Sequence, residues 1–236
     1  VHDTKSFYYT GSSRAETYMA HWANNWIPPA IFKTGAVHDV INFADLGKVN
    51  IDQYKVVIFI NTWVLNDVQK KMIKEKIALN NIDISENESL VLGYSNEKTV
   101  NKNFIEEVTQ IKMQELTLKS PVTIEVDSAI TPGKNFNVWN NIINPLFVVS
   151  DDKAEVLGKI GGTDKAGFVK KQFKNYTSWF ASIPPADIAL WKYIFKQSGV
   201  HIYDEGEDVV YSGNGVLTLH TAKGGQRNVH LKNGKN

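Results

Sequence analysis

The segment SLVLGYSNE, residues 89–97, sets a serine where a nucleophile could stand. Leu90, Val91 and Leu92 lead into Gly93-Tyr94-Ser95, which nearly completes the G-x-S-x-G elbow that lifts a serine oxygen off the end of a buried strand. Glu97 occupies the place of the second glycine, the small residue that lets the following helix approach the turn. A serine hydrolase also needs an acid and then a histidine downstream. Chain order offers Asp187 and His201, but nothing in the element pattern aims either at Ser95. Ser95 is the one candidate nucleophile, and the competing reading is a polar loop after a core strand.

The remaining chemistry-bearing residues are dispersed. His2, His21, His38, His201, His220 and His230 show neither H-x-x-x-H nor H-x-H spacing, so the sequence predicts no metal centre, and no cofactor motif is present. There is no cysteine, which removes thiolate ligands, disulfides and cysteine nucleophiles together. The DEGED run, Asp204 to Asp208, lacks the alternating ligands and distal glutamate of an EF-hand loop and reads as a solvated turn. In TGSSR, Ser12, Ser13 and Arg14 stand where a strand enters a helix, a place that attracts anions, although capping explains both serines. Tyr8, Tyr9, Trp63 and Tyr94 fall at or just past the C-terminal ends of expected strands. Open α/β sheets bind ligands at that edge, and aromatic faces suit a sugar ring or a protein interface. Packing in the core or at a subunit interface is the favoured reading.

The elements that would position these residues follow from hydrophobic patterning. Val56 to Ile60 is a short β-branched run between polar flanks, a strand buried on both faces. Asn66-Asp67 caps a helix with Val68, Met72, Ile73, Ile77 and Leu79 on one stripe, and SLVLGY supplies the next strand. Strand, helix, strand predicts neighbouring parallel strands joined by a right-handed crossover. Upstream, SSRAETYMAHWANNW reads as a helix ended by Pro28-Pro29, and AVHDVINF as a further strand. Only SFYYT and the terminal Val1-His2 remain for a first strand, which predicts a native chain that begins before Val1. ELTLKSPVTIEVD, PLFVVSD, AEVLGKI and AGFVKKQF read as short strands of an antiparallel flank. TSWFASIPPADIALWKYIFKQSGV returns to strand, turn and helix, stopped at Gly199. Beyond it lies a short antiparallel β tail with SGNG and KGGQ turns. The expected division is an α/β domain over 1–199 and, over 200–236, a β-meander tail or the start of a following β domain.

A chain of 236 residues that is 42% hydrophobic can bury a sizeable core. Lys+Arg 26 against Asp+Glu 25 gives net charge +1, so no global field recruits nucleic acid or an anionic membrane. No apolar run approaches the roughly 20 residues that span a bilayer, and residues 1–10 lack a signal-peptide layout. The chain is expected to be soluble, and its compartment stays open.

YKVVIFINTWVLND, AEVLGKI and above all the stretch from SWFASIPPADIALWKYIF to GGQRNVHL resemble the trimerisation domain of β-galactosidases of glycoside hydrolase family 42. The resemblance implies a flavodoxin-like fold of the class I glutamine amidotransferase type, a mainly parallel sheet flanked by helices. It implies a non-catalytic assembly role, with homo-oligomers and a separate catalytic (β/α)₈ barrel in the same polypeptide, acting in carbohydrate metabolism. A secreted or periplasmic parent of bacterial type is compatible with it. The amidotransferase nucleophile is a cysteine and its base lies in a His-Pro-Glu sequence. Here Ser95 stands in the elbow region and Ile183-Pro184-Pro185 in the other position, so both are vacated. Two further classes stay open, a free-standing serine hydrolase using Ser95 and a carbohydrate-binding module using the aromatics.

Overall fold

The computed structural model describes residues 1–4, 22–60, 62, 65–78, 88–91, 102–131, 133–138 and 141–232. Near its start, His2 bridges in parallel to both Asn42 and Ile60, which sets the first residues beside the end of the first strand. Residues 22–25 are helical, as expected, Trp26 is a turn, and residues 12–21 of that expected helix lie outside the described residues. Pro28 and Pro29 do not end a helix but open one, α1 (Ile27–Phe32). The first helical turn has no use for their missing N–H groups, so proline is tolerated there. The strand expected over AVHDVINF is also not formed. It makes isolated bridges at Ala36 and Asn42, and the Asn42 side chain then accepts from the Ala44 N–H and starts the 3-10 turn Phe43–Lys48.

The apolar run after Tyr54 is strand β1 (Val56–Phe59), with Val57 and Phe59 buried and Val56 and Ile58 half-buried on the opposite face. Asn66 and Gln69 cap helix α2 (Asp67–Ile73) reciprocally: each side chain accepts the other's backbone N–H, at 2.9 and 3.0 Å. The cap fixes the helix phase. It leaves Val68 70% exposed in the first turn, outside the expected stripe, and buries Ile73 with Met72 partly covered. The helix widens to a π-turn over Lys74–Ala78, and β2 (Glu88–Val91) pairs parallel with β1, Ile58 opposite Leu90. The predicted parallel neighbours are therefore present.

Helix α3 (Lys102–Thr109) leads into β3 (Met113–Leu116), β4 (Thr123–Val126), β5 (Asn135–Asn137), β6 (Leu146–Val149), β7 (Glu155–Ile160), β8 (Ala166–Gln172) and β9 (Thr177–Ala181). These strands join β1 and β2 in one nine-stranded sheet, ordered β1-β2-β9-β8-β7-β4-β5, with β6 pairing both β3 and β8. Among the described residues only β1–β2 and β2–β9 are parallel, and every other joint is antiparallel. The α/β class holds, and the mainly parallel, flavodoxin-like sheet does not. The cause is loop length: β7 and β8 are separated by residues 161–165, and β8 and β9 by 173–176. A parallel connection needs a dozen residues or more. β9 sits between the parallel and antiparallel parts and is buried at all five positions, with Trp179 stacked at 5.9 Å on Phe168.

A buried ion pair ties the antiparallel flank to α3. Asp151 accepts from the Lys171 ammonium at 2.7 Å and from the N–H groups of Lys112 and Lys153, both at 3.0 Å, while Lys171 also donates to the Gln110 carbonyl. Burial raises the Asp151 carboxyl, but the bonds from Lys171 and the two amides outweigh it and leave it below the ordinary value of 3.8. A depressed folded pKa contributes stability that is fully present above the unfolded value and lost as pH falls through the folded one. Asp151→Asn should therefore cost about 3 kcal/mol at pH 7. That gap should close as pH falls below about 4, and denaturant midpoints measured across pH check it. A gap that stays constant with pH would remove the charge from the account.

Helix α4 (Ile188–Gln197) starts at Asp187, whose side chain accepts from the Leu190 N–H at 3.0 Å, and gives way to Gly199 at φ +67. The expected antiparallel tail is the hairpin β10 (Val209–Gly213) and β11 (Val216–His220), turned by Asn214 and Gly215, both at positive φ. Such a two-residue Asn-Gly loop matches the twist of its strands. The tail segment is stitched back to the body at Gly35. There Ala36 bridges Ile202, and the Tyr203 N–H donates to the Gly35 carbonyl at 2.9 Å.

Candidate functional site

Ser95, Tyr94, Trp63, Tyr8, Tyr9, Ser12, Ser13 and Arg14, the residues singled out from sequence, all lie outside the described residues. Their partners are placed. Asp187 is spent as the α4 cap, and His201 has its Nε2 at 2.6 Å from the His230 carbonyl and its ring edge-on to Tyr203.

The Ser182-Ile183-Pro184-Pro185 segment is core. Ser182, Ile183, Pro184 and Pro185 are buried, and two indoles take the proline carbonyls: Trp22 Nε1 donates to Pro184 at 2.9 Å and Trp191 Nε1 to Pro185 at 2.8 Å. A buried carbonyl needs a donor, and the indole N–H, which can only donate, suits each of them.

The DEGED run is solvated only in its middle, where Glu205, Gly206 and Glu207 are exposed. Asp204 and Asp208 are buried, and the Arg227 guanidinium pairs with Asp208. The Lys192 ammonium donates to the carbonyls of Glu205 and Gly206, at 2.5 and 2.7 Å, and Lys196 pairs with Glu205 at 2.8 Å. Burial lowers the Lys192 ammonium, against the pull of the Glu205 and Asp204 carboxylates. The cations arrive from α4 and from Arg227, too far along the chain for a local motif to reveal them.

The structure gathers residues elsewhere that spacing had left apart. A cleft of about 710 Å³ lies between α1, the half-buried face of β1 and the C-terminal end of α4. Val56, Ile58 and Ile60 form an apolar floor, and Asp39, Tyr54, Lys55, His38 and His201 are among the polar groups around it. His2 lines it too, so three of the six scattered histidines converge. They do not make a metal centre: among the described residues no group of three or more His, Asp or Glu side chains could hold an ion. The Tyr54 hydroxyl donates to Asp39 at 2.7 Å. Burial and the Asp39 bond and charge push the Tyr54 phenol up to about 12, which keeps it a donor at neutral pH. His38 stacks on Phe32 at 4.2 Å with its Nδ1 3.3 Å from the Ala36 carbonyl, so its ring is fixed.

No family model and no curated protein matches the chain. Solved structures do. The β-galactosidase from Bacillus circulans sp. alkalophilus superposes with a TM-score of 0.56 at 16% identity, over 84% of this chain and 31% of its own. Gan42B, a GH42 β-galactosidase from G. stearothermophilus, gives 0.53 at 10%, over 85% and 29%. The β-galactosidase from the haloarchaeon Halorubrum lacusprofundi gives 0.54 at 11%, over 80% and 28%. The fold is one that β-galactosidases carry. At these identities the likeness is one of fold alone, and the chain spans about three-tenths of each enzyme's length. No described helix is long and apolar enough to cross a membrane.

Proposed function

We propose that this chain is a non-catalytic assembly domain, of trimerisation type, from a β-galactosidase-like glycoside hydrolase whose catalytic barrel lies in the same polypeptide. The observation that carries the reading is the asymmetry of coverage: the match takes in 84% of this chain but only 31% of the first enzyme. A domain that is one part of a larger hydrolase behaves so. The division into a 1–199 α/β domain and a 200–236 β tail belongs to the same proposal.

Assembly is the property to measure. Light scattering of the chain over a range of concentrations should show an oligomer with concentration-dependent dissociation. Trp63, proposed to meet a neighbouring subunit, is the anchor to remove. An interface tryptophan carries about 2 kcal/mol or more, so Trp63→Ala should weaken association roughly 25-fold or more, with circular dichroism unchanged. A monomer at every concentration would overturn the assembly role, and unchanged assembly in the variant would take Trp63 out of the interface.

A further inference from the structure

We propose that the outer edge of β3 pairs with the same edge of a second copy of this chain, antiparallel about a two-fold axis at Thr117. The inner edge is occupied. The Ser150 N–H donates to the Lys112 carbonyl at 2.9 Å, so Lys112, Gln114 and Leu116 turn their backbone groups toward β6. The Asn144 side chain extends that ladder by one rung, accepting the Leu118 N–H and donating to the Leu118 carbonyl, both at 2.8 Å. Strand alternation then points the N–H and C=O groups of Glu115 and Thr117 the other way, and among the described residues no strand pairs with them. The Glu106 carboxylate accepts the Met113 N–H at 2.7 Å, which closes this edge at its start and leaves it open from Glu115 onward. An open edge is a template for another strand.

The side chains choose the occupant. Glu115-Leu116-Thr117-Leu118-Lys119, set antiparallel to itself, places Glu115 opposite Lys119, Leu116 opposite Leu118 and Thr117 opposite Thr117. Residues that face each other across an antiparallel pair share a face of the sheet. Glu115, Thr117 and Lys119 are exposed, while Leu116 and Leu118 are half-buried against the core. The self-pair therefore matches charge with opposite charge on the solvent side and leucine with leucine on the other. Charged residues on an edge normally bar self-pairing; here their order permits it in one register. A pair centred on Glu115 would oppose two glutamates and one centred on Lys119 two lysines, both unfavourable.

The chain bends at Lys119 and Ser120, so the backbone ladder is short and the flexible lysine side chain reaches past its end to the glutamate. A contact of this size gives a concentration-dependent dimer rather than a permanent one. It is isologous and closes at two copies. It rests neither on Trp63 nor on a trimerisation type of assembly, and it would join such assemblies in pairs.

The test is analytical ultracentrifugation of the full chain over a range of concentrations. Glu115→Lys and Lys119→Glu should each weaken the two-fold association roughly tenfold, because either opposes like charges at both ends of the pair. The double variant Glu115→Lys/Lys119→Glu should restore it, a rescue that a merely structural role for either residue would not produce. Thr117→Cys adds a geometric readout, since the chain has no cysteine of its own and the facing Cα atoms would lie about 5.5 Å apart, within disulfide reach. With oxidised glutathione as the oxidant, reduced to two thiols as the inter-chain bond forms, Thr117→Cys should cross-link about tenfold faster or more than Asp164→Cys on the exposed β7–β8 turn. Adding Trp63→Ala to Thr117→Cys should leave that rate unchanged, so failure of this contact and failure of the assembly reading are separately visible. Equal cross-linking rates at the two positions, or association unchanged in both single-charge variants, would overturn the contact.

Discussion

Replacing Gly35 with alanine is expected to lower the melting temperature by about 6–12 °C. Gly35 lies at φ +77, and a Cβ there would stand 1.9 Å from the Asp204 carbonyl oxygen, with the Asp204 carbon at 2.8 Å. The left-handed conformation alone costs an L residue about 1–2 kcal/mol. The obstacle at 1.9 Å is backbone, so it cannot rotate aside. To make room, the 35–36 and 202–204 segments must separate, and the Tyr203 N–H to Gly35 bond and the Ala36–Ile202 bridge are lost with them. A total near 3 kcal/mol follows for a chain of this size, and each kcal/mol moves the midpoint by about 2–4 °C. Gly162→Ala is the control, since Gly162 also has positive φ, +70, but nothing within 4 Å of its notional Cβ. Thermal circular dichroism of both variants separates strain from collision. Equal midpoints would mean that the close approach at Asp204 carries no stability.

Trp191 gives the other large effect. It is fully buried, packs against Phe195 at 6.1 Å and satisfies the Pro185 carbonyl. Trp191→Ala should cost about 3–5 kcal/mol through the void it leaves. Trp191→Phe retains most of the apolar packing but orphans a buried acceptor, at a cost of about 1–3 kcal/mol. Trp22→Phe should behave like Trp191→Phe, because Trp22 holds the neighbouring Pro184 carbonyl. Guanidinium midpoints with unchanged slope check all three. A phenylalanine variant as stable as the parent would show that packing alone accounts for the indole.

How far the chain could be read from its residues depended on how local each signal was. The Asn66-Asp67 cap, the α4 stop at Gly199 and the Asn214-Gly215 hairpin are each written within a dozen residues, the β1–α2–β2 unit follows from elements consecutive in the chain, and all are present. Pro28-Pro29 misled because proline both stops and starts helices, and only the register of the next turn tells which. The weight of the antiparallel part was underestimated, although the short loops at 161–165 and 173–176 carried that information. The cleft was invisible for a different reason. His2, His38, Tyr54 and His201 meet only because α1, β1 and the segment after α4 pack together, and no periodicity links them. The same holds for the DEGED run, whose partners Lys192 and Arg227 flank it at a distance.

The joint between β2 and β9 has a consequence for how the molecule comes to be made. It pairs Glu88 with Thr177 and Leu90 with Trp179, so β2 gains its neighbour on that side only after the whole antiparallel flank has been synthesised. Residues β7 to β9 close through short hairpins and can zip as soon as they leave the ribosome, whereas the β1–α2–β2 unit, made earlier, has to wait. Until β9 has been made, the backbone edge of β2 on that side is available to any other extended chain nearby.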